Sequence, residues 1–227
     1  MSITTELSVK NALKLLTTKY SNAWNAVLDD PSHALFRGYR QKSSTGIFLV
    51  KPQHGNRKST SNSNYYTILM SQLPSFQNIP PRNSSLICST SYSFASGYGN
   101  VFYVFPENGT ELAFSNTHDI WFCVFRPFNN SLLELNEEIE NYFNSKNALD
   151  SYVEQLKLEK EKNLGTFYKK ITELLSPETI GITVTSTKRF YSSTNYNQNS
   201  EVWFSNNALM IDSDIVGELV SNYLDLT

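Results

Sequence analysis

Three short stretches carry side chains able to hold a ligand. In LFRGYR, Arg37 interrupts an apolar, strand-like run and is followed by Gly38. An arginine so placed either snorkels at a sheet edge or grips an anion through its planar fork. In ICSTSYSFASGYG, the hydroxyls of Ser89, Thr90 and Ser91 end one apolar run and lead into a short helical stretch. They read as a capped strand end or as a row of hydrogen-bonding groups beneath a ligand. In NQNSEVWF, Glu201 opens a strand directly after the polar loop YSSTNYNQNS. A lone carboxylate at a strand edge is either solvated or functional.

Other chemistries find little in the chain. The three histidines, His33, His54 and His118, are scattered, and none sits at ligand spacing from a cysteine or carboxylate, so no metal is expected. Walker A, GxGxxG and GxSxG patterns do not occur. The two cysteines, Cys88 and Cys123, lie among large apolar neighbours and read as buried thiols in a reducing compartment. A formal charge of −2 gives no basic field for nucleic acid or a membrane surface. No run approaches the roughly 18 apolar residues of a membrane span. The N-terminal MSITTELSVKNALKLL lacks the apolar core of a secretory leader, so a cytoplasmic protein is expected. The sequon-like Asn83, Asn108 and Asn129 are then turn residues.

The elements that must hold the three stretches follow from periodicity. With 227 residues, 40% apolar and 18% charged, the chain suits one well-cored domain. Apolar residues from Leu7 to Val27 recur at helical spacing and predict one helix over 5–28, ended by Asp29-Asp30-Pro31. Short strands are expected over 33–39, 46–50, 85–89, 101–105 and 120–125. The polar run 51–64 reads as a loop, and 65–73 as a turn or two of helix. From 131 to 175 the chain is rich in Glu, Lys, Leu and Asn, which predicts a block of two or three helices. Strands return over 180–185, 201–204 and 209–211, and Asp212 caps a last helix over 213–224. The order suggests an α+β fold of one domain over 1–227, with a helical insertion at about 129–178.

The order Arg, Ser-Thr-Ser, Glu resembles the R-S-E class of ADP-ribosyltransferases. Leu35-Phe36-Arg37-Gly38 matches the family's strand arginine, Ser89-Thr90-Ser91 its triplet, and Ser200-Glu201-Val202-Trp203-Phe204 its glutamate strand. Ala95, Tyr98 and Gly99 leading into Val101–Val104 resemble the passage after the triplet. The resemblance implies a split β-sheet core with an N-terminal helix, and NAD as co-substrate. It implies transfer of ADP-ribose to a macromolecular acceptor, protein rather than nucleic acid, with release of nicotinamide. Glu201 would stabilise the oxocarbenium-like ribose or act as base, Arg37 would hold a phosphate, and Ser89 would bond the ribose or the glutamate. Thr90 and Ser91 would shape the pocket, and Tyr92 or Phe94 would stack on nicotinamide with Tyr98 nearby. Arg40 competes with Arg37 for the phosphate, and Arg82 is held in reserve. Tyr196, Gln198 and Asn199 would face the acceptor. Asn199 departs from the Gln or Glu that the family often carries there. Compact, oddly inserted members resemble bacteriophage proteins, which would act in the host cytoplasm. The competing expectation is a non-catalytic interaction or virion-associated protein that keeps the transferase-like sheet and docks a partner through its helical block.

Overall fold

The strands with the most continuous apolar sequence lie in the middle of a sheet, where both faces are covered. EVWF and ALMI are buried along their whole length. A computed structural model describes residues 3–40, 46–52, 70, 74–120, 124–125, 130–131, 176–193 and 199–224. The expected 51–64 loop from residue 53 onward, the helical turns at 65–73 apart from Met70, and the helical block lie outside the described residues. So do Cys123, Tyr196 and Gln198.

Strands β1 (Ile3–Glu6), β2 (Leu35–Tyr39), β3 (Ile47–Lys51), β4 (Leu86–Ser89), β5 (Asn100–Pro106) and β6 (Glu111–Ser115) belong to one large sheet. They are joined there by β9 (Ile182–Ser186), β10 (Glu201–Phe204) and β11 (Ala208–Asp212), after a separate pair, β7 (Val124–Phe125) and β8 (Asn130–Ser131). The order is β1-β3-β11-β5-β2-β4-β10-β6-β9, and every pairing is antiparallel. The middle is thinly joined. β2 runs beside β5 from Leu35↔Val104 to Tyr39↔Asn100, and β4 beside β10 from Leu86↔Phe204 to Ser89↔Glu201. Between β2 and β4 only Phe36↔Ser89 is in register. The sheet is thus two halves meeting at a seam.

Helices α1 (Val9–Leu16), α2 (Ser21–Asp29), α3 (Tyr92–Ser96), α4 (Thr187–Tyr191) and α5 (Ser213–Leu224) pack on this frame. The single helix expected over 5–28 is instead a strand and two helices. Ile3–Glu6 pairs with β3, and the Ser8 hydroxyl caps α1 by accepting from Asn11 N–H. The hydroxyls of Thr17 and Thr18 then donate to the carbonyls of Leu13 and Lys14, which closes α1. Trp24 on α2 is fully buried and meets Phe105 edge-on at 5.8 Å, joining the N-terminal helices to the first half. Phe190 on α4 meets Phe114 at 5.6 Å and covers the second half. One core cluster includes Trp24, Phe105, Phe190 and Phe204.

Two further expectations change. Ile120 is not in a strand, and Val124–Phe125 of the expected 120–125 strand form β7, while 121–123 lie outside the described residues. The ELAFS stretch, not expected to be a strand, forms β6 between β10 and β9. Asn108-Gly109, with Gly109 at φ +79°, makes no hairpin there, because β5 and β6 belong to different halves. Instead Asn108 ties the turn to the α1–α2 connection. Its Oδ1 accepts from Asn22 N–H at 3.0 Å, and its Nδ2 donates to Thr18 O and Ser21 Oγ. Among the described residues, no helix is long and apolar enough to cross a membrane.

Candidate active site at the seam

The arginine, the triplet and the glutamate lie on three neighbouring strands, β2, β4 and β10. Phe36, Ser89 and Glu201 form one register row across them. Residues in such a row project from the same face, so Ser89 and Glu201 are side by side. Arg37 follows Phe36 and starts from the other face of β2. Its guanidinium nonetheless ends at β4, where Nη1 donates to the carbonyl of Ile87, two residues before Ser89. Arg37 therefore bridges the seam at a point where the two strands are no longer in register.

Gly38 is set by packing. A Cβ there would stand 2.1 Å from the carbonyl oxygen of Ala95 and 2.7 Å from Tyr98 Cβ, so only glycine lets α3 rest on β2. Gly99, at φ +136°, would meet the carbonyl oxygen of Tyr39 at 2.8 Å and is fixed by the same contact.

Each hydroxyl of the triplet has a distinct partner. Ser89 Oγ accepts from Ser91 N–H at 3.0 Å, which turns the chain out of β4. Ser91 Oγ accepts from Phe94 N–H and caps α3. Thr90 reaches across to the glutamate strand: its N–H donates to Ser200 O at 3.0 Å, and its Oγ1 accepts from Ser200 N–H at 2.8 Å. Ser200 is thereby clamped, and with it the start of β10. Ser89, Thr90, Ser200 and Glu201 are all buried.

Glu201 is held on three sides. Its N–H donates to Thr117 O at 2.7 Å, its Oε2 accepts from Ile120 N–H at 3.3 Å, and its Oε1 pairs with Arg82 Nη2 at 2.5 Å. Arg82 is itself 8% exposed, and its guanidinium carbon lies 6.0 Å from the centre of the Trp203 ring. Trp203 shares Glu201's face of β10 and donates its indole N–H to Pro80 O at 2.9 Å. The reserve phosphate role expected of Arg82 is corrected accordingly: its charge is committed to Glu201, within the enclosed second half. The partnership spans 119 positions, and no local pattern around Pro80-Pro81-Arg82 announces it.

The remaining candidates lie around this centre. Tyr92 is 48% exposed and touches Phe36 edge-on at 5.5 Å, and Tyr98 is 50% exposed. Phe94 sits between Tyr98 at 5.5 Å and the His118 ring at 4.7 Å. Arg40 is exposed just past the end of β2, beside Gly99. Asn199 is exposed in the turn before β10. Among the described residues, no group of three or more His, Cys, Asp or Glu side chains is gathered to hold a metal ion. No family model matches the chain, and neither the curated proteins nor the solved structures contain a match for it.

Proposed function

We propose that this chain is an NAD-dependent ADP-ribosyltransferase that moves ADP-ribose to a macromolecular acceptor and releases nicotinamide. The observation that carries the reading is the register row: Ser89 and Glu201 side by side at a split in the sheet, with Arg37 reaching the same seam. The R-S-E resemblance leads one to expect a split sheet, and the single register pair between β2 and β4 supports that reading. As the glycosidic bond lengthens, the ribose gains positive charge while the departing nicotinamide becomes neutral. A fixed carboxylate at Glu201 stabilises that charge without reorganising. Ser89, next to it, hydrogen-bonds the ribose. The Arg37 fork pairs with a phosphate oxygen, a geometry that lysine does not reproduce. The exposed rings of Tyr92 and Tyr98 and the half-buried Phe94 offer faces for a nicotinamide or an acceptor.

Incubation with NAD labelled in its adenylate half, with protein and nucleic-acid acceptors in separate arms, tests this reading. Label should move to protein, and Arg37→Lys should raise the KM for NAD about tenfold through the lost charge-assisted bond. Wild-type protein that leaves all label in free NAD under every condition overturns it.

One observation favours a second reading. Glu201 is 5% exposed, and its carboxylate is already balanced by Arg82 and the Ile120 N–H. A charge so placed can serve the fold alone, and the chain would then be a non-catalytic interaction protein with a transferase-like sheet. Under that reading Glu201→Gln lowers stability and changes no NAD chemistry.

A further inference from the structure

We infer that Arg82 is a positioning residue for the seam, holding Glu201 as a fixed anion, with Arg82 on Oε1 and the Ile120 N–H on Oε2. The inference rests on the transferase reading above and adds a residue that the three-motif pattern does not contain. Its basis is how Arg82 is itself placed. It begins a 3₁₀ turn, Arg82–Ser84, immediately before the strand that carries Ser89. That turn is pinned at both ends. Trp203 Nε1–H holds Pro80 O at 2.9 Å, and Ser84 N–H and Ser85 Oγ hold Pro81 O at 3.0 and 2.8 Å. The guanidinium then runs past the Trp203 ring to Glu201 Oε1, while the backbone of Ile120 takes Oε2.

Two different donors on two oxygens fix the rotation of the carboxylate as well as its position. A carboxylate fixed in this way is placed to stabilise positive charge as it develops on the sugar. Arg82 itself stays off the substrate.

The test compares nicotinamide release by wild type, Arg82→Lys, Arg82→Met and Glu201→Gln, with kcat and KM for NAD taken separately and a thermal melt on each. A positioning role predicts that Arg82→Met lowers kcat about 100-fold while KM for NAD moves less than about threefold, since a misplaced catalytic group costs on that order. Arg82→Lys, which keeps the charge and one donor, should recover part of kcat. Should Arg82→Met fail to fold, Arg82→Lys decides the matter: a loss of kcat greater than that of KM supports positioning, and wild-type kcat overturns it. An Arg82→Met protein that melts lower but keeps wild-type kcat makes Arg82 a structural pin, and the transferase reading survives. Equal and negligible release by wild type and Glu201→Gln overturns that reading, and this inference with it.

Discussion

At the scale of single residues, the triplet serves as joinery. Thr90 is the clearest case, since its Oγ1 is the acceptor for the buried N–H of Ser200, the residue that places Glu201. Thr90→Val keeps the shape and removes the acceptor. It should destabilise the protein by about 1–3 kcal/mol in urea unfolding, the cost of leaving a buried donor unpaired. Ser91→Ala removes only a cap on a short, partly exposed helix and should cost about 1 kcal/mol. The buried ion pair carries higher stakes. Removing one partner of such a pair typically costs about 3–5 kcal/mol, more than either hydroxyl. Arg37, Ser89 and Glu201 stand out in the sequence because polar groups in apolar strands need a reason, and the fold brings them to three neighbouring strands. The pairing of Arg82 with Glu201 was not legible, because that partner is chosen by the fold and not by neighbours in sequence.

At the scale of elements, close approach and turn chemistry govern what forms. The contact of α3 with β2 depends on Gly38, where a Cβ would overlap the carbonyl oxygen of Ala95. Gly38→Ala should shift α3 and cost about 1–3 kcal/mol, read as a lower midpoint in a denaturant melt and as loss of the Phe36–Tyr92 ring contact by NMR. Continuous apolar strands and a capped C-terminal helix were readable because their signals are local. β10 and α5 begin and end where the sequence indicates. β6 escaped because ELAFS is short and mixes polar with apolar residues, and its partners β10 and β9 lie far along the chain. The N-terminal helix was over-extended because the stripe from Leu7 to Val27 runs on through 17–20. The threonine hydroxyls there close α1 before α2 begins, and only pairing with β3 makes Thr5 and Glu6 part of a strand.

At the scale of the whole molecule, Tyr20 links the N-terminal helices to the turn between β5 and β6. Burial, with the nearby charge of Glu107, pushes its phenol up to about 12 from an ordinary 10.0. The folded state thus holds the neutral phenol more firmly than the unfolded chain does. That contribution is complete below pH 10 and is lost as pH rises through about 12. A Tyr20→Phe variant should lose less stability than wild type between those values, as followed by chemical denaturation at stepped pH. The central claim is that the seam joining the two halves is a site for splitting NAD, with Glu201 its fixed anion. Nicotinamide release at saturating NAD, wild type against Glu201→Gln in matched folded samples, tests it most directly. Wild type should turn NAD over and Glu201→Gln should fall by about 100-fold or more, whereas equal rates in the two proteins would contradict the claim.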